Sequence, residues 1–400
     1  MPPRKHEDTK KSFCLLLVVS LIACNRSSLV FQQPATLTNN LVVLPTRVNG
    51  SQELPFILDT GASATVIDRR QAGNLGLSIT RGADVSTGGG NVEASQIKGV
   101  TLKIGDLSLP DLNVVAIDLA GLSAGLGQPI AGILGYDIFQ RYVVEIDYAG
   151  GLVSFHEPAR YVPGGGEIIP ISIEEQTPFI SVWIVGSAPT SVPAAKLEFD
   201  TGKTGALTLL REYVDTYQLR DLSQNSIPVT AGALLPGQVP ATVTRIQGLQ
   251  LGRFTMNDVV TMIVPDQAAA DVSGATVGIL GGEVLKRFTV AIDYSRNRVI
   301  LTSNHALDEP FEFDKTGISL AAQGSDYRDY VVRVVLPRSP AAEGGVASGD
   351  HLAAIDGKPA RELSLEQIRD LFRSEGQAYA LDLRRGDTTI RVELRTRRLL

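Results

Sequence analysis

From Leu41 onward, apolar and polar positions alternate in short runs broken by turn formers, a period of two that predicts strands. LVVLPTRVNG (41–50) and LPFILDTG (54–61) read as two strands joined at the Asn49-Gly50 turn signal. PFISVWIVG (178–186) and AAKLEFDTG (194–202) repeat that layout. Hairpin-rich middles follow each copy, at 99–119 and 245–264, and HEPARYVPGGGE (156–167) is the predicted joint between them. After Asn304 the pattern changes. GISL (317–320) leads into the β-like run YVVRVVL (330–336), then a loop with Ser339-Pro340 and Gly344-Gly345. SLEQIRDLF (364–372) has the spacing of an amphipathic helix, and YALDLRRG and TTIRVEL close the chain as strands.

The repetition extends beyond layout. Asp-Thr-Gly occurs at 59–61 and at 200–202, 141 residues apart. GILGYDIFQRYVVEIDYAGGLVSF (132–155) and GILGGEVLKRFTVAIDYSRNRVIL (278–301) follow, and agree at 10 of 24 positions. One unit written twice supplies one carboxylate per copy, so a pseudo-twofold axis can bring Asp59 and Asp200 together. In each triplet the Gly permits a tight turn and close approach of a partner lobe. The Thr hydroxyl of Thr60 or Thr201 can bond across the interface.

These residues carry a resemblance. FILDTGASATVID (56–68), paired with Ile133-Leu134-Gly135 and Ile279-Leu280-Gly281, resembles the retropepsin/pepsin clan of aspartic proteases. The two copies span about two thirds of the chain. The resemblance implies a mainly β fold: two pseudo-twofold-related, retropepsin-like β-barrel lobes with a catalytic Asp59–Asp200 dyad at their interface. It also implies an active-site loop of Thr60, Gly61, Ala62, Thr201, Gly202 and Lys203, and a flap with its tip at Gly88, Gly89 and Gly90. Two such carboxylates share one proton; the ionised one activates a water and the protonated one donates to the scissile carbonyl. No cofactor is implied. Ala62 lacks the hydroxyl that acid-working relatives carry, so activity is expected near neutral pH. Lys203, where the family has a small residue, places a cation beside Asp200 and favours its ionised form.

Residues 311–398 resemble a PDZ domain, with Gly317, Ile318, Ser319 and Leu320 as the carboxylate-binding loop. An extended or C-terminal peptide would add to the following strand beside the helix at 364–372.

The N-terminus changes the picture of location. Arg4, Lys5, Lys10 and Lys11 precede an apolar stretch from Phe13 to Ala23, too short to span a bilayer and of the length of a secretory h-region. Leu21-Ile22-Ala23-Cys24 resembles a bacterial lipobox, which implies lipid attachment at Cys24. The expected organisation is a lipoprotein signal at 1–23, a tether at 24–38, lobe 1 at 39–157, lobe 2 at 158–306 and the PDZ domain at 311–398. Both cysteines, 14 and 24, fall in the targeting segment, so no disulfide framework is expected in the exported body. Asn25 is not the Asp that marks inner-membrane retention, so the expected site is the periplasm, at the outer membrane.

Composition excludes some classes. A net charge of −6 argues against a nucleic-acid partner. The four His, at 6, 156, 305 and 351, are too scattered for metal-ligand spacing. Gly121-Leu122-Ser123-Ala124-Gly125 fits G-x-S-x-G, but Gly127 and Pro129 oppose the helix that a nucleophile elbow needs, and a loop is expected. Gly202-Lys203-Thr204 lacks the P-loop Gly, since Leu197 stands in its place. The expected protein is an exported, monomeric, membrane-tethered aspartic endopeptidase acting on peptides or proteins, its PDZ domain recruiting substrate or partner. The alternative is a peptide-binding lipoprotein without catalysis.

Overall fold

The computed structural model describes residues 27–81, 85–87, 90–185, 193–219, 226–231, 239–266 and 276–400. The chain folds into two β-barrel lobes built to one plan, with a separate C-terminal module. In lobe 1, Leu41–Val48, Leu54–Leu58, Gly132–Leu134, Val66–Asp68, Leu107–Ile117 and Ser95–Ile104 lie side by side, and the first pairs with the last. In lobe 2, Thr177–Val185, Ala195–Phe199, Gly278–Leu280, Leu207–Leu210, Phe254–Val264 and Val239–Leu251 repeat this order and the closing pair. Closure removes the open edges that strands of this apolar character would otherwise expose.

An antiparallel sheet joins the lobes. Its strands are Leu29–Pro34, Leu152–His156, Val143–Asp147, Phe288–Asp293, Arg298–Ser303 and Glu167–Glu174, in that order. Val143–Asp147 and Phe288–Asp293 are equivalent positions of the two repeats, and they pair with Val144 opposite Ile292 and Ile146 opposite Val290. The pseudo-twofold axis therefore passes between them. Val144, Val153, Phe155, Phe288, Val290 and Val299, all 0% exposed, join the two lobes into one core. Each such side chain contributes about 1.5–3 kcal/mol by leaving water.

Two expectations are corrected here. Residues 29–38, read as part of a polar tether, form the strands Leu29–Pro34 and Thr36–Thr38. The first is an edge strand of the joining sheet, where one row of backbone groups and several side chains stay in water. Its composition therefore looks like linker. The segment at 121–125, read as a loop, lies in the helix Ala120–Leu126, ended by Gly127 at φ 72°. Leu122 and Leu126 bury against Leu41, Ile117 and Ile130, which outweighs the poor helix propensity of its glycines.

The C-terminal module orders its strands Ile318–Gln323, Asp329–Val335, His351–Ile355, Ala378–Arg385 and Thr388–Arg395. Tyr330, Ile368 and Leu381 centre a core of its own. The helix Leu365–Arg373 starts at a capping box, Ser364 and Gln367 each accepting from the other's backbone N–H. Arg287, fully buried, holds the joint between lobe 2 and this module. It donates to the carbonyls of Ala306 (2.8 Å), Leu307 (3.3 Å) and Glu309 (2.5 Å) and lies 3.8 Å over the Phe311 ring.

Candidate active site

Each Asp-Thr-Gly loop begins where a buried strand ends and is anchored by the repeated Ile-Leu-Gly strand. Leu54–Leu58 runs parallel to Gly132–Leu134, and Ala195–Phe199 runs parallel to Gly278–Leu280. Asp59 N donates to Leu134 O, and Asp200 N donates to Leu280 O, both at 3.0 Å. The backbone of the loop then crosses over the glycine of Ile-Leu-Gly. A Cβ on Gly135 would meet the carbonyls of Ala62 and Ala64, and one on Gly281 would meet those of Gly205 and Lys203. Lys203 thus keeps the backbone role of Ala62: Lys203 O accepts from Gly282 N as Ala62 O accepts from Tyr136 N.

The two loops interlock through their threonines. Thr60 Oγ1 donates to Phe199 O (2.5 Å) and accepts from Thr201 N (3.0 Å). Thr201 Oγ1 donates to Leu58 O (2.9 Å) and accepts from Thr60 N (3.0 Å). Both threonines are 0% exposed, so these four bonds are shielded from water. Gly61 N and Gly202 N donate to Asp59 Oδ1 (2.8 Å) and Asp200 Oδ1 (2.7 Å). Each glycine also lies against the opposite carboxyl: a Cβ on Gly202 would overlap Asp59, and one on Gly61 would press on Asp200. No larger residue fits without parting the two acids.

The two carboxyls hydrogen-bond to each other, and both are raised above the ordinary carboxylate range. Burial is the main cause for each. The Asp200 charge raises Asp59 further, while the Lys203 cation pulls Asp200 back down. Charge asymmetry between the lobes is therefore built in. It lowers the cost of ionising Asp200 relative to Asp59.

Three groups near this pair were missed by sequence reasoning. Glu198, 9% exposed, occupies the strand position held by Ile57 in the first copy. A Cβ on Gly61 would lie 2.8 Å from its Oε1, so it stands beside the dyad. Burial and then the Asp200 charge raise Glu198 to about 8, against the pull of Lys203. The signal was a charged residue in an otherwise apolar strand, visible when FILDTG is laid on LEFDTG. Tyr148 and Tyr294 share the repeated Ile-Asp-Tyr, and both hydroxyls are buried without a partner among the described residues. Their ionisation is suppressed by burial and then by Asp200 for Tyr148, and by burial and then Asp59 for Tyr294.

The remaining expected site residues lie elsewhere. Val85–Thr87 and Gly90–Val92 pair as an antiparallel two-stranded ladder, Thr87 opposite Gly90. Gly88 and Gly89 lie outside the described residues, as does Cys24. Gly317 (φ 82°) precedes the module's first strand, Ile318–Gln323, which carries Ser319 and Leu320. Gly317 N donates to Asp314 Oδ1 and Ile318 N to Thr316 Oγ1. Among the described residues no cluster of His, Cys, Asp and Glu could hold a metal ion.

Residues 44–138 match a family described as aspartyl protease, and residues 331–385 match one described as PDZ domain. No curated protein sequence matches the chain. Among solved structures, the aspartic proteinase from Irpex lacteus is similar at 15% identity and a TM-score of 0.43, over 70% of this chain and 99% of that one.

Proposed function

We propose that this chain, a retropepsin-like aspartyl protease with a PDZ domain behind it, is an exported aspartic endopeptidase. The observation that carries the reading is the crossed pair of loops, which holds two hydrogen-bonded carboxyls of raised proton affinity, Asp59 and Asp200, in one shared environment. A pair sharing one proton has both a base and an acid at the same pH. The ionised carboxylate takes a proton from water as its oxygen attacks the peptide carbonyl carbon. The protonated one donates to the carbonyl oxygen. The tetrahedral adduct then collapses, the C–N bond breaks, and the leaving amine takes up a proton. Lys203 favours Asp200 as the ionised partner and Asp59 as the proton carrier.

The test is cleavage of a diverse peptide pool by the soluble chain from residue 25. Asp59→Asn and Asp200→Asn are each expected to lower turnover by about 10³-fold, within the range of general acid–base catalysis. The rate is expected to peak above about pH 4, because both acids are raised. A parent that retains peptides without cutting them between pH 3 and 8 would overturn the reading. It would favour a peptide-binding lipoprotein instead, for which the Lys203 cation beside Asp200 is the supporting observation.

A further inference from the structure

The peptide groove of a PDZ fold lies between an open strand edge and a helix, and it binds by strand addition. In this module those walls are Ile318–Gln323, which pairs with a strand on one side only, and Leu365–Arg373. Lobe 1 presses against both. The helix Ala120–Leu126 has Cα atoms within 8 Å of those of Ile318–Gln323. On the opposite wall, Arg369 Nη2 donates to Gly125 O at 2.6 Å, and Gly127 sits so close to Leu365 that a Cβ there would lie 2.6 Å from Leu365 Cβ. Leu365 and Arg369 are one helical turn apart and share a face.

Two more contacts tighten this dock. Glu366 Oε2 accepts from Asn39 N at 2.8 Å. Asn39 and Asn40, both at positive φ, form the hairpin turn of lobe 1. Asn40 Nδ2 in turn donates to Thr204 O (2.8 Å) and Glu283 Oε2 (2.7 Å) in lobe 2. The turn that receives the module therefore also supports the loop after Asp200. At the groove's end, the amides of Thr316 and Gly317 donate to the Asp314 carboxylate, and Ile318 N donates to Thr316 Oγ1. A carboxylate of the module itself sits where a chain terminus would seek backbone donors.

We infer that the PDZ groove of this chain is occupied in cis, with the helix Ala120–Leu126 and its Gly127 cap as its ligand in place of a free chain end. The guanidinium of Arg369 reads the carbonyl end of that helix, where a cation is favoured. Its other nitrogen, Nη1, is buried without a partner among the described residues. The docked state carries that desolvation cost, which shape and contact offset, so displacement by a competing extended peptide is accessible. Nothing in this inference depends on proteolysis.

Hydrogen–deuterium exchange of the full chain tests it, with Arg369→Glu and Glu366→Ala beside the parent. Arg369→Glu sets a carboxylate against the Gly125 carbonyl, and Glu366→Ala removes the Asn39 contact. Both are expected to speed exchange in 120–127 and 318–323 together, by about tenfold for the first, while Ala378–Arg385 and Thr388–Arg395 keep their protection. Equal exchange of the parent and both variants in those two segments would overturn the inference. Should Arg369→Glu also expose 378–395, it has unfolded the module, and the Glu366→Ala comparison decides.

Discussion

Glu198 changes the candidate site at the scale of single residues, because three buried carboxyls rather than two lie together at the crossed loops. Raised from 4.5 to about 8, Glu198 is protonated in the folded chain over a range where the unfolded chain has lost that proton. Folding therefore takes up a proton between these values. The stabilising contribution is full below about pH 4.5 and is lost as pH rises toward 8. Glu198→Gln is expected to flatten the decline in urea-melt stability over this window, leaving the slopes due to Asp59, Asp200 and Asp314 and the opposing one from His156. The Glu198 charge also raises Asp59, so the same variant should move the alkaline limb of the rate profile to lower pH. The threonines act differently, through geometry alone. Thr60→Val removes one hydroxyl that bonds Phe199 O and Thr201 N, and leaves both backbone groups buried and unpaired. A loss of about 2–3 kcal/mol in unfolding free energy, read as a lowered urea midpoint, is expected, with turnover lowered further as the carboxyls part. Asp59, Asp200, Thr60 and Thr201 could be named from the triplets, because a repeated motif is local. The charge state of Glu198 could not, since it depends on burial, to which the Gly61 loop of the other lobe contributes, and on the fields of Asp200 and Lys203 in the folded loop.

At the scale of elements, the interlobe sheet and the Arg287 clamp decide how the repeats are held. The period-two runs marked most barrel strands, because alternation follows from one face being buried. Leu29–Pro34 was misread since its partner, Leu152–His156, is more than a hundred residues away, and an edge strand needs little apolar sequence. The helix Ala120–Leu126 was misread for the opposite reason: tertiary burial of Leu122 and Leu126 overrides its glycines. Arg287 stands within the repeated block that begins with Gly-Ile-Leu-Gly, at the position of Arg141 in the first copy. Only in the second copy does the side chain turn inward to bind four carbonyls of the joint, those of Ala306, Leu307, Glu309 and Pro310. Arg287→Met is expected to cost about 3 kcal/mol, measured as a lowered melting temperature, because those carbonyls lose a charged donor in a dry site.

Over the whole molecule, both carboxyls come from one polypeptide, and the C-terminal module rests on the turn and helix of lobe 1 that lead to the strands Leu41–Val48 and Gly132–Leu134. Lipid attachment at Cys24 would place this assembly at a membrane surface. If Cys24 carries the lipid, Cys24→Ser is expected to abolish incorporation of labelled palmitate. What the sequence determined by itself was the unit and its duplication: strand, Asp-Thr-Gly turn, Ile-Leu-Gly strand, and a distinct module after them. These are encoded by side-chain periodicity and by glycines that a tight crossing requires, both local properties. Only the tertiary structure decided that Thr60 and Thr201 cross-bond, that Glu198 joins the two acids, and that the module's groove meets a helix of its own chain. Each of those depends on surfaces brought together by burial from segments far apart in sequence, and the energy that selects them belongs to the contact rather than to either segment.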